Sequence, residues 1–187
     1  MGDTDHIPTY TGKQFDFECP DADTICIEDI AHHLSLTHRW RGATGEGMSV
    51  AQHSVMVAQM MGRAGYSHLD QLGGLMHDAA EAYLGDVPSP LKAKLPDFKA
   101  YELVVQNAIC DKFGIPRTPH PSVHLFDVES YRWEARDLLH PEHGMEAPTA
   151  SCRSTLVCWP PGAAEFEFLN LFGYLMEAVR HVATVVG

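Results

Sequence analysis

Residues 72–92 read Leu-Gly-Gly-Leu-Met-His-Asp-Ala-Ala-Glu-Ala-Tyr-Leu-Gly-Asp-Val-Pro-Ser-Pro-Leu-Lys. Leu72, Leu75, Met76, Ala79, Ala80 and Tyr83 recur at three- and four-residue intervals, the apolar stripe of a helix with one face in a core. Gly85 suits the end of that helix, and Pro88 and Pro90 mark a rigid turn away from it. Into this stripe the sequence sets His77, Asp78 and Glu81. Side chains three and four positions apart share a helix face, so the three can approach one point. Beside Leu75, Met76, Ala79 and Ala80 they are expected to be partly buried, and buried charges are normally paired or metal-bound. An imidazole nitrogen and a carboxylate oxygen suit a divalent cation, with Glu81 near a bound water. A plain structural His–Asp hydrogen bond is the competing reading.

The helical period continues on both sides. Ile27, Ile30, Ala31 and Leu34 form a stripe, with Glu28 and Asp29 in a first turn where carboxylates suit the helix dipole. Ser49-Val50-Ala51-Gln52 has the spacing of a capping box, so a helix starts at Ser49 and carries His53 in its first turn or just after. Tyr101, Val104, Val105, Ala108, Ile109 and Phe113 give a third helix, stopped by Gly114 and Pro116. Further helices are expected over about 122–139 and about 163–185, the last with Phe168, Leu171, Leu175 and Val182. Residues 155–157 have the composition of a short strand without an obvious partner. The expected fold is all-α: one domain over 24–187, preceded by an irregular polar segment over 1–23, within a length of 187 residues that suits a single domain.

Composition narrows the function classes. A net charge of −12 argues against a nucleic-acid binder, which normally shows a basic face. It still permits an anionic small molecule, because a metal dication and one or two basic side chains can reverse the field inside a pocket. Five cysteines without a Cys-x-x-Cys motif argue against a disulfide framework and for a reducing compartment. No apolar run reaches the roughly 20 residues of a membrane span, and the polar N-terminus lacks an apolar signal region. The expectation is a cytoplasmic protein with neither a membrane nor a nucleic acid as partner.

Other chemistry-bearing residues lie around the 72–92 stretch. His53 is a second candidate ligand, or a first-turn histidine facing solvent. Asp127 and Asp137, both on the helix that also holds Ser130, Tyr131 and Glu134, compete as a further carboxylate. Arg39-Trp40 closes the first helix ahead of a glycine-rich turn at 42–47. There the arginine can clamp a phosphate bidentately, while the tryptophan stacks on a base or caps the core. Asp86 reads as a turn cap or a second acid, and Lys92 and Lys94 as pocket-mouth cations or solvated lysines. His32, His33 and His38, and the pairs His120/His124 and His140/His143, read as surface residues.

Taken together, the order His53 … His77-Asp78 … Asp127 resembles the H…HD…D signature of the HD-domain phosphohydrolases. The nearer likeness is to small bacterial 5'-deoxynucleotidases and their phage-encoded relatives, in which a helix ending in Arg-Trp comes shortly before the first ligand histidine. His77-Asp78-Ala-Ala-Glu81 through Gly85-Asp86-Val-Pro88-Ser-Pro90-Leu-Lys92 resembles the HDxxE…GDxPxPxK segment of that family. Tyr10-Thr-Gly12-Lys-Gln-Phe15 and Ile27-Glu-Asp-Ile-Ala-His32 are similar to the phage type, and the likeness covers about residues 10–140. It implies an HD-type helical bundle in which His53, His77, Asp78 and Asp127 hold a divalent cation: Zn, Co, Mn or Mg. Asp127 takes its place from its distance before Glu134-Ala-Arg136-Asp137-Leu, which resembles the phage-type helix.

The likeness also implies roles for the remaining residues. Glu81 positions or activates the attacking water, and Asp86 is a second acid beside it. Arg39 binds phosphate, Trp40 is its neighbour in the substrate pocket, and Lys92 joins Arg39 on the phosphate. The implied reaction is hydrolysis of the 5'-phosphate ester of a deoxynucleotide. A nucleotidase would release orthophosphate from a monophosphate, and a phage-type dATP triphosphohydrolase would release tripolyphosphate. Two readings lie outside this class. Two-iron oxygenase chemistry would need extra ligands such as His120 and His124, and a non-catalytic nucleotide-binding protein need not retain the full residue set. A homo-oligomer, dimer or larger, is expected of a helical domain with abundant apolar helix faces.

Overall fold

Ser49 Oγ accepts the Gln52 backbone N–H at 3.2 Å and so starts α2, Val50–Arg63, around which the protein is packed. In the computed structural model, which describes residues 6–143 and 155–186, α2 contacts α1 (Ile27–Leu36), α3 (His68–Leu75), α7 (Ser122–Leu138) and α8 (Pro161–Val186). Nearly every residue from Val50 to Met61 is buried, which explains a helix that is apolar on several faces rather than one. Only half of the expected capping box forms. The Gln52 amide reaches across instead, donating to Val157 O and accepting from Trp159 N, both at 2.8 Å. It thereby pins residues 155–160, which are irregular rather than a strand.

The architecture is all-α apart from a minimal hairpin, β1 (Ile7–Pro8) against β2 (Gln14–Phe15). That hairpin lies in the segment expected to be irregular, and it is tied to the domain. Phe15 is fully buried and stacks on Tyr83 with ring centroids 3.9 Å apart. Ile30, Leu34, Val55, Leu72, Leu75, Ile109, Phe168 and Leu175 belong to the same core cluster. Among the described residues no helix is long and apolar enough to cross a membrane. Cys19, Cys26, Cys110 and Cys158 are free thiols, and Cys152 lies outside the described residues.

Two expectations need correction. α1 ends at Leu36, before Arg39-Trp40, which lie in a separate tight turn at Arg39–Gly42. Trp40 (φ 61°) and Arg41 (φ 50°) are left-handed there, a costly conformation for residues with a Cβ. The helix expected through His77-Asp78 is also interrupted, since α3 stops at Leu75 and α4 runs only from Glu81 to Leu84.

The cause of the interruption is Gln106 on α6 (Pro96–Phe113), the helix that follows the short α5 (Ser89–Lys92). Its Nε2 donates to Met76 O at 2.8 Å, and its Oε1 accepts from Ala80 N at 3.0 Å. Those two backbone groups would bond to each other in a continuous helix. A side-chain amide inserted into the ladder opens it, and the turn closes instead through Ala79 N→Met76 O and Glu81 N→Asp78 O. Apolar periodicity does not register such an insertion, because the wedge comes from a residue some thirty positions away.

Candidate metal centre and substrate cleft

Three elements supply the centre: α2 gives His53, the opened turn between α3 and α4 gives His77 and Asp78, and α7 gives Asp127. One ligand atom from each of His53, His77 and Asp127 lies within 4.8 Å of the others. Asp127 Oδ1 is 3.2 Å from His53 Nε2 and 3.9 Å from His77 Nε2. Asp78 Oδ2 is 3.2 Å from His77 Nε2 and 3.8 Å from His53 Nε2. Adjacent residues on a regular helix point about 100° apart, so the opened turn explains how His77 and Asp78 converge. The geometry also separates the competing carboxylates. Asp137 is taken by the Arg136 guanidinium and by Leu156 N–H, both at 2.6 Å.

The second nitrogen of each imidazole decides what the site can hold. His77 Nδ1 donates to the Gly74 carbonyl at 2.7 Å, and His53 Nδ1 donates to Glu134 Oε1 at 2.7 Å. With Nδ1 committed as a donor, the neutral ring leaves Nε2 as a lone pair. The two Nε2 atoms face each other 3.4 Å apart. Two lone pairs at that distance call for a positive charge between them, and two carboxylates flank the same point. Nitrogen and oxygen donors with their far nitrogens anchored are what a divalent cation requires, so these residues can hold a metal ion. In the bare protein a proton serves. Burial works against charge on His77, yet Asp78, Asp127 and the bond to Gly74 outweigh it and push its pKa up to about 9. Burial also opposes ionisation of Asp78, but His77, His53 and Arg39 hold its carboxyl well below the usual range.

The centre opens into a cleft of about 700 Å3. Arg39, Trp40, Asp78, Glu81, Asp86 and Lys92 line it, together with Asp127. These seven residues singled out from the sequence therefore meet in one place, and His53 and His77, which do not line the cleft, join them through Asp78 and Asp127. Glu81 is buried, and its Oε2 has no hydrogen-bond partner among the described residues. Burial, then the neighbouring Asp78 and Asp86, push its pKa up to about 9. Burial raises Asp86 as well, with Asp78 adding to it against Arg39 and Lys92. Lys92 lines the cleft but is engaged, 2.5 Å from Glu102 and 3.6 Å from Glu81. Lys94 does not line it. His120 Nδ1 bonds Ser122 Oγ and the residue does not line the cleft, while His124 does.

The residue that sequence reasoning passes over is Glu134, fully buried on α7. Its Oε1 accepts from His53 and from Ser130 Oγ, and its Oε2 accepts from Arg39 Nε at 2.8 Å and Trp40 Nε1 at 2.9 Å. Burial opposes its ionisation, but Arg39 and His53 bring its pKa down to about 2. Tyr131, to which the sequence assigns no role either, stacks on Trp40 with centroids 4.6 Å apart. A signal is present: Asp127, Ser130 and Glu134 repeat at helical spacing, a polar stripe on a helix that faces the core.

No family model matches the sequence. It is 34% identical over 175 residues to the uncharacterized protein YfdR of Escherichia coli K12, an alignment spanning 91% of this chain and 96% of YfdR. It is 35% identical over 137 residues to an uncharacterized protein of Rhodobacter capsulatus, spanning 68% of this chain and 70% of that one.

Proposed function

The chain belongs to the family of Escherichia coli YfdR, and from the geometry of its site we propose that it is a metal-dependent phosphohydrolase cleaving the 5'-phosphate ester of deoxynucleotides. The observation that carries the reading is the facing pair of imidazole Nε2 atoms, 3.4 Å apart, flanked by two carboxylates and opening onto Arg39. A divalent cation (Zn, Co, Mn or Mg) held by His53, His77, Asp78 and Asp127 would supply Lewis acidity toward a phosphoryl oxygen and toward water.

The side chains account for the rest. Arg39 Nε is fixed by Glu134 and its Nη1 stands 3.8 Å from Asp78, so the outer face of the guanidinium is turned to the centre as a phosphate clamp. Glu81 accepts a proton from the attacking water, and Asp86 returns one to the leaving 5'-oxygen. A raised pKa suits buried Glu81 to the proton it takes up, and half-buried Asp86 is shifted in the same direction. The Trp40–Tyr131 stack gives the nucleoside an aromatic wall within the cleft.

One observation favours the triphosphate branch. Arg41 lines the same cleft and makes no ion pair among the described residues, whereas Lys92 is already engaged. A monophosphate has no use for cations beyond Arg39, while a triphosphate does. The test is release of orthophosphate from dNMPs, or of tripolyphosphate from dNTPs, with Mn, Co, Zn or Mg supplied in turn. Tripolyphosphate from dATP that is lost in R41A selects the triphosphate branch, and orthophosphate from dAMP selects the nucleotidase. Binding without release from any of them would reduce the protein to a non-catalytic metal and nucleotide binder.

A further inference from the structure

Glu134 touches neither the cleft nor the point where the ligand atoms converge, yet both sides of the site end on it. One oxygen takes the Nδ1–H of His53, and the other takes the N–H groups of Arg39 and Trp40. The acceptor is fully buried and its bonds are 2.7–2.9 Å, so solvent cannot replace it if it is lost. The turn it holds is itself strained, with Trp40 and Arg41 at positive φ. Such a turn persists only where its surroundings over-determine it. We propose that Glu134 is a positioning residue that couples the metal centre to the nucleotide clamp: the bond that fixes His53 in its ligating tautomer is shared with the bonds that hold Arg39 and Trp40. This rests on the reading of the site as a metal-dependent nucleotide hydrolase.

The chemistry of the Glu134→Gln replacement makes the sharing concrete. A carboxylate accepts on both oxygens, whereas an amide accepts on one side and donates on the other. An amide turned with its NH2 to His53 would require Nδ1 to accept, moving the ring proton to Nε2 and removing the lone pair the cation needs. Turned the other way, its NH2 would confront the N–H groups of Arg39 and Trp40 and release the turn. Either orientation injures one side directly. The carboxylate's charge, which opposes the positive charge gathered by both sides, is lost in each.

Two measurements without turnover test this. Equilibrium dialysis of the full chain against Co(II) without nucleotide, and separately against dAMP in the presence of EDTA, reads each side alone. E134Q is expected to lose ten- to a hundredfold in Co(II) affinity and about tenfold in dAMP affinity, the loss of roughly one charge-assisted bond. Loss on neither side, or on one only, overturns the coupling and leaves the proposed function standing. Failure of the unmodified chain to bind Co(II) overturns the proposed function and the coupling with it.

Should E134Q fail to fold, the second measurement leaves Glu134 in place. The chain has three tryptophans, so W133F/W159F leaves Trp40 as the sole emitter. Zn(II), which does not quench, is expected to shift Trp40 emission without any nucleotide present. A Trp40 spectrum unmoved by saturating Zn(II) overturns the proposal, because a carboxylate that merely fills space would not relay the event.

Discussion

Asp29 on α1 and Glu134 on α7 are both carboxylates with no exposed surface, and they hold entirely different things. Asp29 accepts from Thr11 N at 2.7 Å, Thr11 Oγ at 2.8 Å and Cys26 Sγ at 3.0 Å, all neutral groups belonging to the chain that leads into α1. Glu134 accepts from a guanidinium, an indole, a candidate ligand histidine and a serine. Both carboxyls are held below their ordinary values despite burial, so neither burial nor the direction of the shift distinguishes them. The donors do. Neutral local donors mark an anchor for a loop, whereas donors that themselves point into a cleft mark a support for a site. Glu81 is a third kind: buried, unpartnered at Oε2 among the described residues and shifted upward, it is the group to which the proposed reaction gives the water's proton.

That contrast is sharpest at Glu81, where the largest effect is expected. E81Q should keep its Co(II) affinity within about twofold while turnover falls about 10²–10⁴-fold, the range for removing a general acid–base group. Dialysis and phosphate release on the same preparation check it, and turnover equal to that of the unmodified chain would place Glu81 with Asp29 as structure. H77A should do the reverse in kind, removing Co(II) binding itself and activity only as a consequence, read by dialysis before any substrate is added. A smaller effect is expected of Q106L, which keeps bulk but removes the wedge. Ala80 N could then bond Met76 O, closing α3 and α4 into one helix and splaying His77 from Asp78. Co(II) affinity should fall about tenfold or more, with helical circular dichroism unchanged or slightly increased. Unaltered affinity would mean that the turn stays open without Gln106.

Part of the molecule is legible in the sequence and part is not, and the division is physical. Helix positions follow from apolar spacing and from Ser49, Gly85 and Gly114, because those signals are local. The meeting of His53, His77, Asp78 and Asp127 comes from a resemblance in their order, since spacing alone leaves Asp127 and Asp137 open. What separates them is tertiary: Arg136 and Leu156 N–H occupy Asp137. Gln106 and Glu134 escape a sequence reading for the same reason. Each acts on backbone or side chains from another element, and a glutamine or a glutamate on an amphipathic helix reads by default as solvated surface. Lys92 reads as a phosphate ligand because a sequence cannot show that Glu102 and Glu81 reach it first.

The smallest effect is expected at the anchor, and it tests the comparison from the other side. D29N keeps the shape of the acceptor but loses its charge and one of its two accepting oxygens, so a hydroxyl, an amide and a thiol compete for one. The cost should be about 1–3 kcal/mol, lowering the Tm by about 2–4 °C per kcal/mol in a chain of this size, while Co(II) affinity stays unchanged. Burial opposes the Asp29 anion, yet the donors from Cys26 and Thr11 bring its pKa below the ordinary 3.8. Its contribution is therefore complete above pH 3.8 and fades as pH falls from there through the lower folded-state value. Thermal melts of the two proteins from pH 7 downward should run parallel and then converge in that acid range, where Asp29 takes up a proton and comes to resemble asparagine. If D29N instead weakened Co(II) binding as strongly as E134Q, the N-terminal hairpin would belong to the site, and donor chemistry would no longer separate the two buried carboxylates.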